Sequence, residues 1–215
     1  GKQRPSRRKP RKNASEPRGV KVLPGTYKIK LHFGNETVTE KITIAYDPRV
    51  EMPLEVLKNK YDLLKQLENK MDVAGKATQR LLASKEIVED YQKRIKSQKQ
   101  QHKYEGILKS HTEILKKIDG LLDYMLGKED KRQGITATEF PSTVSYLFTA
   151  SRYVNGLMQH PGPTETTLVI NADEKVSSVI SKINGFYTSD WITYKNSVKD
   201  LKLSPFNDLK ELKYE

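Results

Sequence analysis

The stretch Thr26–Tyr46, TYKIKLHFGNETVTEKITIAY, decides how this chain is built. Tyr27, Ile29, Leu31 and Phe33 alternate with Lys28, Lys30 and His32, a period of two that sends the apolar side chains to one face of a strand. Gly34-Asn35 then supplies a tight turn. Beyond it Val38, Ile42, Ile44 and Tyr46 point one way and Thr37, Thr39, Lys41 and Thr43 the other. The pattern predicts a β-hairpin over Thr26–Tyr46. A two-stranded hairpin is marginal in water, because its apolar face needs a third strand or a covering layer. Nothing later in the chain reads as another strand, so the cover is expected either from helices or from strands contributed by sequence preceding Gly1.

Downstream, Asp47-Pro48-Arg49 stops the second strand, and Pro53 suits a first helical turn because its missing N–H would be unpaired there anyway. Leu54, Leu57, Tyr61, Leu64, Met71, Ala74, Leu81, Val88, Tyr91 and Ile95 recur at helical spacing, predicting one long helix over 53–98 with Gly75 as a candidate bend. A second stripe runs from Tyr104 through His111, Ile114, Ile118 and Leu122 to Met125, stopped by Gly127. Phe140, Val144, Leu147, Phe148, Val154, Leu157 and Met158 define a third helix, closed by His160-Pro161-Gly162-Pro163. Thr164 is the expected cap of a fourth, with Val169, Ala172, Val176, Val179, Ile183, Phe186, Tyr187 and Val198 on its apolar side and Gly185 as a candidate interruption. Four amphipathic helices on short turns pack most simply as an antiparallel bundle.

Upstream, residues 1–22 carry nine basic side chains against Glu16 alone, in a chain whose formal net charge is +12. Pro5, Pro10 and Pro17 and the lack of any large apolar residue before Val20 leave this segment too little surface to bury, so it reads as an exposed loop or linker. Arg4, Arg7, Arg8, Lys9, Arg11 and Lys12 form its candidate polyanion contact, since clustered cations release counterions from polyanions. No aromatics interleave with them to stack on bases, which argues against nucleic acid as the partner.

The chain contains no cysteine, which excludes a disulfide scaffold, a thiolate metal site and a thiol nucleophile. No apolar run approaches the roughly 18 to 20 residues needed to cross a bilayer. The four imidazoles, His32, His102, His111 and His160, have no second histidine or carboxylate at metal-binding spacing. Phosphate loops, nucleophile elbows and calcium loops are not found either. The carboxylate pairs Glu89-Asp90 and Glu129-Asp130 sit in lysine-rich surroundings and diverge as helical neighbours. No catalytic residue, cofactor or metal is therefore expected in this chain. Tyr187, Trp191 and Tyr194 are spaced four and three apart, as a core stripe or as a strip for a second partner.

The order Leu23-Pro24-Gly25-Thr26-Tyr27, then Tyr46-Asp47-Pro48-Arg49, then a long helix pair, then Phe140-Pro141, Pro163-Thr164 and Phe206-Asn207-Asp208-Leu209, resembles the C-terminal region of bacterial exported proteins built on a sortilin-like, BNR-repeat β-propeller. Those proteins are often labelled glycosyl hydrolases. The likeness runs from Leu23 to Leu212, although a glycine-rich stretch is common in that family where this chain has its basic segment. The resemblance implies that propeller blades and the first strands of an immunoglobulin-like sandwich precede this region, and that those strands complete the sheet over Tyr27, Ile29, Leu31 and Phe33.

These readings give an α+β chain: a basic loop over 1–22, a hairpin over 23–49 that is part of an Ig-like β-sandwich, an elongated antiparallel four-helix bundle over 53–203, and a C-terminal segment over 204–215. The expected role is a non-catalytic accessory or scaffold module of an exported β-propeller protein, joined to the upstream portion through Tyr27, Ile29, Leu31 and Phe33. In that reading the chain is a proteolytic C-terminal fragment or a separate piece that stays bound to the propeller, with other exported or outer-membrane proteins as further partners of the helices. Two rivals stand beside it. One is a share in a glycoside or peptide hydrolase whose active site lies in the propeller; the other is polyanion binding through the basic arm.

Overall fold

The computed structural model describes residues 4–8, 13, 15, 18–49, 52–98, 101–128, 141–199 and 201, with the backbone alone at 101 and 102. Phe140, Glu129-Asp130, Lys9, Arg11, Lys12 and everything from Lys202 on, including Ser204-Pro205 and Phe206-Asn207-Asp208-Leu209, lie outside the described residues. The chain is α+β. Strands β1 (Gly25–Phe33) and β2 (Glu36–Ile44) form an antiparallel pair, followed by helices α1 (Leu54–Lys96), α2 (Glu105–Leu126), α3 (Thr143–Asn155), α4 (Pro163–Thr188) and α5 (Asp190–Val198).

The hairpin turns through two residues, with Phe33 paired to Glu36 and Gly34 at φ +58°. Asn35 keeps a negative φ, so the left-handed step falls on the first turn position alone, the pattern of a type II′ turn that matches strand twist.

Helix α1 is unbroken over 43 residues, about 65 Å at 1.5 Å per residue. Gly75 lies within it without interrupting it. Leu67, Met71, Ala74, Thr78, Leu81, Val88 and Ile95 are buried at steps of three, four and seven, the spacing of a seam that faces neighbouring helices along its length. Thr78 satisfies its buried hydroxyl by donating to the Ala74 carbonyl oxygen at 2.8 Å.

Cross-helix pairs fix the directions of the other helices. Lys85 pairs with Asp119 at 2.6 Å, so α2 descends beside α1. The Thr143 hydroxyl donates to the Tyr124 carbonyl at 3.1 Å, and Lys60 donates to the Leu157 carbonyl at 3.0 Å, so α3 takes over where α2 stops and descends to the start of α1. Lys70 pairs with Asp173, and Ser84 with Tyr187, so α4 climbs parallel to α1. Lys117 with Asp190, and His111 with Tyr194, place α5 on the same climb, antiparallel to α2. The pairs therefore draw three strokes, α1, then α2 with α3, then α4 with α5, where four antiparallel rods were expected. The short helices stack end to end because each stripe is too brief to span α1 by itself.

The breaks have local causes. Gly127 takes φ +89° at the end of α2, and a Cβ there would stand 3.4 Å from the Ser142 Cβ, so the chain leaves and returns at one point. Ser142 caps α3 by accepting from the Ser145 amide at 3.2 Å, which starts that helix at Thr143. α4 begins one residue before the expected cap: Pro163 occupies the first turn, and the Gly162 N–H donates to the Glu165 carboxylate at 2.9 Å. The last interruption falls at Ser189 rather than at Gly185, which lies within α4.

Candidate functional site

On the hairpin, Tyr27 stands opposite Ile42, Ile29 opposite Glu40, Leu31 opposite Val38 and Phe33 opposite Glu36, so these eight share one face. Leu31 is 67% exposed, Phe33 83% and Val38 56%. Among the described residues no helix lies against either strand. Tyr27 is half-buried only because it folds back on the hairpin base, its hydroxyl donating to the Leu23 carbonyl at 2.6 Å. The reverse face is polar. Lys28 faces Lys41, Thr26 meets Thr43 at 3.3 Å, and His32 meets Thr37 at 2.8 Å. Paired lysines resist a covering layer on that side, whereas the Leu31 face is apolar with Glu36 and Glu40 as its only charges. Both strands also keep an outer edge unpaired within the sheet.

The basic arm is partly tied down. The Arg7 guanidinium donates to the Asp123 carboxylate at 2.5 Å and to the Gly127 carbonyl at 3.0 Å, satisfying an end of α2 that its own backbone leaves open. Arg4 reaches the Arg18 carbonyl, and Arg8 is exposed.

Tyr187, Trp191 and Tyr194 come together between the helices. Tyr187 and Tyr194 are buried and Trp191 is half-buried. The Trp191 ring centre lies 6.1 Å from that of Tyr187 and 5.5 Å from that of Tyr194. Phe186 and His111 extend the cluster, which was not legible as a group because His111 comes from another helix. Burial pushes the Tyr187 hydroxyl up, and the Ser84 bond and the Arg80 charge pull against it.

His111 is fully buried, edge-on to Tyr194 at 5.4 Å, and neither its ring nitrogens nor the Tyr194 hydroxyl has a hydrogen-bond partner among the described residues. Burial holds the imidazole below its ordinary value of 6.5, and burial, with Tyr91 adding to it, pushes Tyr194 far up. Both groups are therefore neutral in the folded protein. The unfolded chain takes up a proton on His111 at a higher pH than the folded one, so stability falls as pH drops below about 6.5. The thermal midpoint of the chain should decline between pH 7 and pH 5, and in His111→Phe that decline should be shallower; an equal slope in the variant would assign the acid sensitivity elsewhere.

Among the described residues no three His, Cys, Asp or Glu side chains gather as metal ligands, and no helix is long and apolar enough to cross a membrane. No family model, curated protein or solved structure matches this chain.

Proposed function

We propose that this chain is a non-catalytic accessory module whose hairpin is covered by β-strands of another polypeptide segment. The segment is the immunoglobulin-like part that stands beside a β-propeller in the exported proteins the sequence resembles. The carrying observation is the apolar face of Tyr27, Ile29, Leu31 and Phe33, on which Ile29, Leu31 and Phe33 are exposed and which no helix among the described residues approaches. An exposed apolar sheet face with open edges is a template for strand addition: backbone bonds supply the pairing and side-chain alternation the specificity. Glu36 and Glu40 on that face call for basic side chains on the covering strands. The helical body then acts as a spacer and docking scaffold at the exported location of the parent protein.

A benzophenone-bearing residue at position 33 of the full parent protein tests this. Irradiation should join position 33 to a strand of the preceding β-rich region, identified by mass spectrometry of the cross-linked peptides. Cross-links only to α1–α5 of the same chain, or only to the hairpin of a second copy, would overturn the reading.

A further inference from the structure

Where the two ends of the hairpin rejoin the helices, a groove of about 900 Å³ runs between the segments 18–24 and 44–47 on one side and α1 and α3 on the other. Its floor includes Leu57, Tyr61 and Leu64, at steps of four and three along α1, which stay half-buried where Leu67, Met71, Ala74 and Leu81 further along are covered. Phe148 and Met158 form the far wall and are 50% and 63% exposed. The volume lies in the range of about 300–1,000 Å³ typical of small-ligand clefts.

The charges around the groove are one-sided. Arg4, Arg18, Lys21, Lys60 and Arg152 line it, against Asp47 and Glu68. Both acids are already held: Asp47 by Arg49 at 2.9 Å, and Glu68 by Lys65 at 2.7 Å and the Val20 N–H at 3.3 Å. No carboxylate pairs with any of the five cations among the described residues. Lys60 donates to the Leu157 carbonyl, and burial, then the nearby Lys21 charge, pulls its ammonium below the usual lysine value. An anion beside Lys60 and Lys21 would relieve both effects.

We propose that this groove binds a single-chain anionic amphiphile, a long-chain carboxylate whose acyl tail lies over Leu57, Tyr61 and Leu64 and whose head meets Lys60, Lys21 and Arg18. A peptide would bring a row of amides needing partners, and the helical walls offer none, because the α1 and α3 backbones are bonded within their helices. An acyl tail needs none. The site does not depend on the cover over the hairpin, which lies beyond the hairpin base.

Calorimetric titration of the chain with monomeric dodecanoate, below its micellar concentration, tests the proposal. Saturable one-to-one binding is expected. Dodecanol should bind at least about tenfold more weakly, as should dodecanoate to Lys60→Gln and, by a smaller factor, to Arg18→Gln on the exposed segment, each having lost a charge-assisted contact. Leu64→Glu should abolish binding, while Phe33→Ser should leave it unchanged and so keep this site separate from the hairpin contact. The proposal is overturned by no saturable binding to the wild-type chain, by equal affinity for dodecanol, or by affinity indifferent to both Lys60→Gln and Arg18→Gln. Association only with phosphatidylglycerol vesicles, or only with an acidic apolar peptide, would overturn it as well.

Discussion

Replacing Tyr187 with alanine is expected to destabilise the helical body by about 3–5 kcal/mol, the usual cost of emptying a buried aromatic site. The side chain is 8% exposed and meets Phe186 edge-on at 5.1 Å. Its hydroxyl shares a 2.9 Å hydrogen bond with Ser84 of α1, and the Arg80 guanidinium lies 3.9 Å from its ring centre. Alanine removes all of these and leaves the Ser84 hydroxyl buried without its partner. At roughly 2–4 °C per kcal/mol for a chain of this size, the thermal midpoint should fall by roughly 10 °C. Tyr187→Phe keeps the ring and loses only the hydrogen bond, so it should cost about 1 kcal/mol. Denaturant titration of both variants separates a packing role from a partner strip: a partner strip would leave both midpoints at the wild-type value.

Leu147→Ala should cost about 2–5 kcal/mol for a different reason. α3 has 13 residues, close to the length at which an isolated helix is marginal in water, so it depends on its buried stripe of Leu147, Ala150 and Val154. Leu147 is fully buried in a helix that touches α1, α2 and α4. Shrinking it opens a cavity where the three strokes meet. Hydrogen exchange should then show α3 amides losing protection ahead of those in the middle of α1, and uniform loss across both helices would mean that α3 does not open separately.

The hairpin and α1 were readable from sequence because each rests on a local period: alternation with a Gly34 turn in one, a seam of threes and fours in the other. Gly75 shows the limit of a local rule, since a buried glycine in a long helix is held by its neighbours whatever its intrinsic cost. Ser189 shows the opposite failure. No proline or glycine marks it, yet its φ of −122° and ψ of −74° leave the helical region, so α4 ends at Thr188 and α5 starts at Asp190. The stacking of α2 on α3 was hidden as well, because a stripe gives the apolar side of a helix but not its direction. For the same reason Leu57, Tyr61 and Leu64 read as core and prove half open: periodicity identifies an apolar side chain, and only the assembled helices determine which ones are covered. The hairpin face was legible residue by residue, and His111 was legible as a member of a helix stripe but not as a neighbour of Tyr194.

The near approach of Gly127 and Ser142 brings the end of α2 and the cap of α3 to one point, which Thr143 and Arg7 fasten to the body. Closure entropy grows only with the logarithm of loop length, so with these two ends held together the length of chain between them bears little on the stability of the three strokes.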